Sequence, residues 1–204
     1  MLTDEQVENN YKEFIGLIEA NVKRDGVENL LKWLNARDAK IAPASTKYHL
    51  SCKGGLIQHS LNVYKRLVNL VNQEYGDTSP YTQETLVLTA LLHDISKINF
   101  YEIQERNAKD ENGNWIKVPF YAIKEENQRV IFGSHALNSY YMLNKFVPLT
   151  YEESLAILHH MGNLDMVGSE SNCKTIIEAY RKSTLAVLLH TADLLATVID
   201  EKDQ

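Results

Sequence analysis

Histidine and aspartate residues occur in this sequence where solvated side chains are not expected. His93 and Asp94 follow the most apolar helical stretch, and Asp193 lies within the apolar run 185–195. A buried carboxylate without a partner is very costly, so we expect a cation beside each. Imidazole and carboxylate groups together suit divalent ions such as Mn, Fe, Ni, Zn or Mg. These residues therefore predict a site for one or two divalent metal ions.

The adjacent pair His93-Asp94 is well suited to holding metal ions at a helix end. Side chains one position apart on a helix point about 100° apart, so they can approach one ion from two sides. The two oxygens of Asp94 can also bridge two ions, with His135 and either His159 or His160 on the second. Two ions roughly 3.5–4 Å apart could hold a phosphate, generate a hydroxide and stabilise the leaving oxygen.

Several helices and one hairpin must position these residues. Helical spacing of apolar residues predicts helices over about 3–20, 26–37, 56–73, 81–95, 134–146, 151–161 and 174–199. Thr3 and Gln6 resemble a capping box at the first helix. Near-alternating stretches around a turn-rich segment predict a β-hairpin at 100–123, near the mouth of a site. The expected fold is all-α with a small β-hairpin insertion.

We expect one domain over residues 1–204. Residues 1–40 would form N-terminal helices and 41–199 the metal-binding core, which opens with a packed loop over 41–55. The breaks at Gly76–Pro80, at Pro148 and at Gly162–Ser171 separate helices.

Composition narrows the function classes. The net charge of −6 disfavours tight binding to nucleic acid, which requires clustered cations. The two cysteines form no disulfide framework, and the N-terminus does not resemble a signal peptide. No apolar run reaches the ~20 residues that span a bilayer. We therefore expect a cytoplasmic protein without a membrane partner. Its oligomeric state is not indicated.

The histidine and aspartate motifs, in this order, resemble those of the HD-domain superfamily of metal-dependent phosphohydrolases. The matching segments are Thr46-Lys-Tyr-His with Gly54-Gly-Leu-Ile-Gln-His59, Leu91-Leu-His93-Asp94-Ile-Ser-Lys97, Gly133-Ser-His135, His159-His160-Met-Gly162 and Ala192-Asp193-Leu. The resemblance covers roughly residues 41–199 and implies an HD-domain helical bundle. It looks closest to small phage and Firmicute-type HD hydrolases. The HD module of bacterial 3′–5′ exoribonucleases is also similar, but those enzymes carry an OB domain for which this chain has no room.

The resemblance also implies roles for individual residues. The first metal would be bound by His59, His93, Asp94 and Asp193. The second would be bound by His135 and by His159 or His160, with His160 favoured and Asp94 bridging. Asp94 and Lys97 would be catalytic, with Lys97 contacting the substrate phosphate, and Lys47 is a further candidate for substrate binding.

The function that follows is hydrolysis of a nucleotide or a similar small phosphorylated substrate by metal-activated water. Whether it would be a phosphomonoesterase or a phosphodiesterase stays open. Two alternatives keep the same fold, namely a di-iron oxygenase-like HD protein and a non-catalytic nucleotide- or RNA-binding HD module.

Simpler interpretations apply to several polar residues. The metal-site histidines could be core residues beside a salt-bridged carboxylate. His190 could orient Asp193, although packing is the simpler role. His49 and Lys47 could reach a substrate from their loop, but the simpler expectation is that both are solvated. The acidic tail from Asp200 is also expected to be solvated surface.

Overall fold

The structure is a computed structural model that describes residues 1–125, 134–162 and 170–202, without the side chains of 170–173. The helices are α1 (Asp4–Asn21), α2 (Val27–Asn35), α3 (Gly55–Tyr75), α4 (Gln83–Leu92), α5 (His135–Asn144), α6 (Tyr151–Leu158), α7 (Glu170–Lys182) and α8 (Thr184–Leu195). The strands are β1 (Tyr101–Lys109) and β2 (Trp115–Ile123). Turns of 3₁₀ helix cover Gly76–Thr78 and Ile95–Lys97, and a π-helical turn covers Ala196–Asp200. The chain is thus mostly helical with one small antiparallel sheet, as expected.

Side-chain caps explain where many of these helices begin. Thr3 and Gln6 form the expected capping box at α1, and Thr150 forms another at α6. Ser and Thr oxygens satisfy backbone N–H groups that have no partner within the helix. The same kind of cap is provided at α4, α5 and α8 by Thr82, Ser134 and Ser183.

The buried apolar residues form two clusters that share α3 and α4. The first joins Phe14 and Ile18 of α1 and Leu30 of α2 to Leu61 of α3. The second packs α8 against the remainder of α3 and α4. Since α3 and α4 contribute to both clusters, they join the two parts of the core; α3 carries His59, and α4 ends directly before His93.

Several helix boundaries differ from the sequence prediction; the helix expected over 151–161, for example, ends at Leu158. The helix expected over 81–95 ends at Leu92, and Asp94 precedes a 3₁₀ turn. The helix expected over 174–199 is broken at Ser183 into α7 and α8, with a bend of 111°. Ser183 caps α8 by accepting a hydrogen bond from the Ala186 N–H, and this local cap wins over the continuous helical spacing. Residues 163–169 of the expected break lie outside the described residues.

The hairpin forms as predicted. β1 and β2 pair in antiparallel register from Tyr101 opposite Ile123 to Lys109 opposite Trp115. The carboxylate of Asp110 accepts hydrogen bonds from the backbone N–H groups of Asn112 and Asn114, which closes the turn. Most side chains of β1 and β2 are exposed, so the hairpin extends away from the helices.

No single helix among the described residues is both long and apolar enough to cross a membrane. Segments 174–182 and 184–200 meet the length and composition criterion only as a pair, across their bend.

Candidate metal centre

The structure brings the residues of the first expected metal site together. Atoms of His59, His93 and Asp94 that could bind an ion lie within 4.8 Å of one another, and all three side chains are buried. The Nε2 atom of His59 lies 3.8 Å from Asp94 Oδ2 and 3.2 Å from Asp193 Oδ1. The Nε2 atom of His93 lies 3.5 Å from the same Asp94 Oδ2. Residues from α3, the end of α4 and α8 therefore converge on one point.

The other oxygen of Asp94 faces a second pair of histidines. Its Oδ1 atom lies 3.3 Å from His135 Nε2 and 3.6 Å from His160 Nε2. These three residues also form a group whose candidate ligand atoms lie within 4.8 Å of one another. The two oxygens of Asp94 thus face different histidine pairs, which is the geometry that a bridging carboxylate requires.

Hydrogen bonds fix which nitrogen of each ring faces the centre. The Nδ1 atom of His93 lies 2.8 Å from the Ala90 carbonyl, and that of His160 lies 2.7 Å from the Ile157 carbonyl. Because a carbonyl oxygen can only accept, Nδ1 must carry the proton in both rings. In the neutral ring each Nε2 then presents a lone pair to the centre, as a metal ligand does.

The Gly54-Gly55 pair places His59 at the start of α3. Gly54 has φ +77°, and a Cβ atom on Gly55 would lie 2.0 Å from the Leu50 carbonyl oxygen. Only glycine allows this close approach of two backbone segments. The loop before α3 is consequently packed against the helix start, which puts His49 and His59 rings 5.0 Å apart.

A small network of serine hydroxyls positions His135. Ser139 donates from Oγ to Ser96 Oγ at 2.9 Å, and Ser96 in turn donates to the His135 carbonyl at 3.0 Å. These bonds tie the 3₁₀ turn after Asp94 to the first turn of α5. The two metal-site segments are therefore fixed relative to each other.

Lys97 compensates the charge of Asp94. Its Nζ lies 2.6 Å from Asp94 Oδ2. Burial raises the pKa of Asp94, but Lys97 and His93 outweigh that effect and hold it well below its usual range. Lys97 and Asp94 are joined across a 3₁₀ turn, in which side chains three positions apart eclipse each other.

The charge of Asp193 is balanced by His59. Burial would lower the pKa of His59, but hydrogen bonds to Asp193 and Glu201 raise it to about 10. Burial would likewise raise the pKa of Asp193, yet the hydrogen bond from His59 lowers it. The site therefore holds its carboxylates ionised. A cation in place of the His59 Nε2 proton would lie beside the carboxylates of Asp193 and Asp94.

The residues present fit divalent metal ions. Among the described residues, His93 Nε2, His160 Nε2 and Asp94 Oδ1 are buried without a hydrogen-bond partner. Buried polar atoms in folded proteins are nearly always satisfied, so such a convergent set requires an explanation. Imidazole nitrogen and carboxylate oxygen are ligands of first-row divalent ions, and two bound ions would satisfy all three atoms.

The structure separates the two neighbouring histidines. His160 is fully buried at the centre, whereas His159 ends α6 and belongs to none of the potential metal-binding groups found among the described residues. The Nδ1 atom of His190 lies 2.5 Å from the His160 carbonyl, and its ring stacks on Tyr180. His190 thus anchors the backbone of His160 and packs, rather than orienting Asp193.

Two expectations of solvated side chains are wrong. Glu201 is buried, and both its carboxylate oxygens lie 3.1 Å from His59 Nδ1. His49 borders the metal centre, and its pKa is lowered to about 4 by burial and by the neighbouring His59 and Lys97. No local pattern marks Glu201, which follows exposed residues of the tail, whereas His49 ends the segment Thr46-Lys-Tyr-His that resembles a family motif.

A cavity of about 110 Å³ opens onto the centre. It is lined by His49, His59, Asp94, Lys97, Met161, His190, Asp193, Leu194 and Thr197. Lys47 does not line this cavity; it borders a separate groove beside the hairpin.

Comparison with known proteins agrees with this geometry. The HD domain family model matches residues 56–197, well over half of the 204-residue chain. Neither curated proteins nor solved structures gave a match. The matched span contains the residues that converge on Asp94, from His59 to Asp193. The chain belongs to the HD domain family, whose members are typically metal-dependent phosphohydrolases.

Proposed function

We propose that this chain is a metal-dependent phosphohydrolase that acts on a nucleotide or a similar small phosphorylated substrate. The division of the Asp94 carboxylate between two histidine pairs carries the proposal, because it suits two ions bridged by one residue. One ion would be held by His59, His93, Asp94 and Asp193, and the other by Asp94, His135 and His160.

When bound, these ions would supply Lewis-acid activation of water and neutralisation of phosphate charge. The chain's own residues provide the remainder. Lys97 lines the cavity and offers an ammonium group to a phosphate oxygen. Asp94 stays ionised and can accept a hydrogen bond from the attacking water. The cavity of about 110 Å³ is well below the roughly 300–1,000 Å³ of pockets that enclose whole ligands. It therefore suits the phosphate group alone.

Finer features of the proposal stay predictions. The ligand set suits Mn, Fe, Ni, Zn or Mg and does not select among them. Three further points also stay predictions. They are the kinship with small phage and Firmicute-type HD hydrolases, a cytoplasmic location, and the choice between monoester and diester substrates.

The decisive experiment combines elemental analysis with a substrate panel. Wild-type protein is assayed with each candidate metal on p-nitrophenyl phosphate, bis(p-nitrophenyl) phosphate and nucleotides. The double variant His93→Ala/Asp94→Ala should lose metal and turnover together. Asp77→Ala, on an exposed turn, serves as the matched control. Wild-type metal content and activity in the double variant would contradict the proposal.

The second candidate is a di-iron oxygenase, which the same bridged arrangement of Asp94 would suit. The ion pair of Lys97 with the bridging carboxylate favours an anionic substrate instead. Oxygen consumption by the reduced di-iron protein would support the oxygenase. Tight nucleotide binding without hydrolysis under every metal would favour a non-catalytic binding module.

A further inference from the structure

A groove runs between the hairpin and the loop that precedes α3. Its larger part has a volume of about 560 Å³, and its lining includes Thr46, Lys47, Ile103, Arg106, Phe120 and Tyr121. A second hollow of about 370 Å³ shares five of these residues, Thr46, Lys47, Arg106, Phe120 and Tyr121. The volume lies within the range of pockets that bind small organic ligands.

Cations and aromatic rings are combined in this groove. The Arg106 guanidinium lies 5.4 Å from the centre of the Phe120 ring, and Lys47 Nζ lies 5.1 Å from that of Tyr48. Within the described part of the chain, neither cation has a carboxylate within 4.0 Å. The Phe120 ring is half-buried and the Tyr48 ring is exposed, and these cations lie on a protein whose net charge is −6. Such a surface suits a ligand with a flat ring and a negative charge.

One wall of the groove lies close to the metal centre. Lys47 lines the groove and His49, two residues later, lines the metal cavity, so the Cα atoms of the two residues lie at most about 7 Å apart. A ligand in the groove could therefore extend along this loop toward the centre.

We propose that the groove binds the part of a nucleotide that is remote from the reacting phosphate. The base would lie against Phe120, which shares a face of the hairpin with Arg106, and a further phosphate would lie between Lys47 and Arg106. This inference rests on the proposed function, and it names the substrate as a nucleotide with at least one phosphate besides the reacting one. It also accounts for a metal cavity that is too small for a whole nucleotide.

Equilibrium binding of ADP to the full-length protein in EDTA tests the groove without using the metal centre. The double variant Arg106→Ala/Phe120→Ala should raise the dissociation constant of ADP about tenfold or more, since stacking and phosphate contacts are both lost. The matched control is Lys109→Ala/Trp115→Ala. This pair has the same cation-on-ring arrangement, at 5.3 Å, but lies at the hairpin tip outside the groove.

Unchanged ADP affinity in the groove variant, an equal loss in the tip variant, or no ADP binding by the wild-type protein would overturn the assignment. Turnover of p-nitrophenyl phosphate by the wild-type protein is measured separately with metal present. If ADP binding changes as predicted but the wild-type protein shows no such turnover, the proposed phosphohydrolase function is contradicted, whereas the assignment of the groove stands.

A different observation points to Glu201 as a positioning residue for the metal centre. Its carboxylate accepts the His59 Nδ1 proton, and Asn62 donates to the same group at 2.9 Å. Glu201 lies beyond the span 56–197 that the family model matches. A carboxylate behind a ligating imidazole fixes the ring orientation and makes the opposite nitrogen a better ligand. The geometry points to this positioning role for Glu201: by holding His59 Nδ1, it directs Nε2 of the same ring toward the metal centre.

Manganese binding distinguishes positioning from simple packing. Glu201→Ala should raise the dissociation constant of Mn²⁺ about 10–100-fold, as the loss of such a partner typically does. Glu201→Gln should recover most of the affinity, because its amide oxygen can still accept the Nδ1 proton. Asp200→Asn, on the neighbouring residue paired with Arg66, is the control. Equal Mn²⁺ affinity in Glu201→Ala and wild type, or no recovery in a folded Glu201→Gln protein, would overturn the role.

Discussion

The carboxylate of Asp94 lies within 4.0 Å of basic nitrogens from five side chains. These belong to His59, His93, Lys97, His135 and His160. A single buried anion in contact with so many basic groups is far from a typical surface ion pair. Without a bound ion, the ammonium of Lys97 supplies the nearest compensating charge. In the proposed reaction the same ammonium would face the substrate phosphate.

We expect Lys97→Gln to lower kcat/KM for a phosphorylated substrate about 100-fold, because truncating one partner of a buried charge pair costs about 2–5 kcal/mol. Metal content should remain close to that of wild type, since Lys97 is not a ligand. Steady-state kinetics with elemental analysis checks this. Lys12→Gln, on an exposed position of α1, should change neither quantity. Wild-type kcat/KM in Lys97→Gln would remove Lys97 from the reaction.

At the scale of elements, the site depends on how a few segments are joined. The loop before α3 closes on Gly55, whose α-hydrogen side faces the Leu50 carbonyl. The turn after α4 is tied to α5 by Ser96 and Ser139. The chain changes direction at Ser183, where α7 ends and where α8, which carries Asp193, begins. Each junction places one metal-site segment.

Substitution of two glycines should have opposite effects on stability. Gly55→Ala should destabilise the protein by roughly 1–3 kcal/mol, because the added methyl would lie 2.0 Å from a backbone oxygen. Gly16→Ala should stabilise it by about 0.5–1 kcal/mol, since Gly16 lies within α1 with open space around it. Urea unfolding gives both values. Equal stability of Gly55→Ala and wild type would contradict the packing described for this loop.

A buried ion pair joins the segment between α1 and α2 to α6. The guanidinium of Arg24 makes two hydrogen bonds to the Glu153 carboxylate, at 2.6 and 2.7 Å, and Glu153 is fully buried. Thr85 adds a third bond from α4, at 2.8 Å. Burial would raise the pKa of Glu153, but the hydrogen bonds from Arg24 and its other donors lower it below 4.5.

We expect Arg24→Met to destabilise the protein by about 3–5 kcal/mol at pH 7, because it leaves a buried carboxylate without its cation. The folded-state pKa of Glu153 is depressed, so its contribution is present above pH 4.5 and is lost as the pH falls through the folded value. The stability difference between variant and wild type should therefore shrink in acid. Urea unfolding from pH 7 to pH 3 measures it. A difference that grows in acid would contradict this assignment.

At the scale of the whole molecule, the metal centre lies where helices from both ends of the chain meet. His59 of α3 and Asp193 of α8 contact each other across it. An ion there would join segments that are otherwise held mainly by apolar packing. Metal binding should consequently stabilise the whole fold and not only the site.

Saturation with Mn²⁺ at about 100 times its dissociation constant should stabilise the protein by about 2.7 kcal/mol. For a chain of this size, that corresponds to a rise in Tm of roughly 5–10 °C, which EDTA should reverse. Differential scanning fluorimetry with and without the metal measures it. His93→Ala/Asp94→Ala should show no rise. An equal rise in that variant would place the stabilising ion elsewhere.

Much of the site could be predicted from local sequence. His93-Asp94 after an apolar helix, and Asp193 within another, are recognisable because a helix places neighbouring residues in known directions. The hairpin is likewise local, since Asp110 and the following residues specify its turn. Capping at Thr3 was predicted for the same reason.

Other features depended on contacts between distant segments. Glu201 reaches His59 across 142 positions of the sequence, and no local pattern distinguishes it from a solvated tail residue. The sequence favoured His160 over His159 only by resemblance, whereas the fold buries His160 beside Asp94. The groove likewise forms only because the fold brings Arg106 and Phe120 of the hairpin near Lys47 of the loop before α3. The sequence by itself thus determined which candidate metal ligands are present and in what order. Only the tertiary structure decided which atoms face one another, because that depends on how the helices pack.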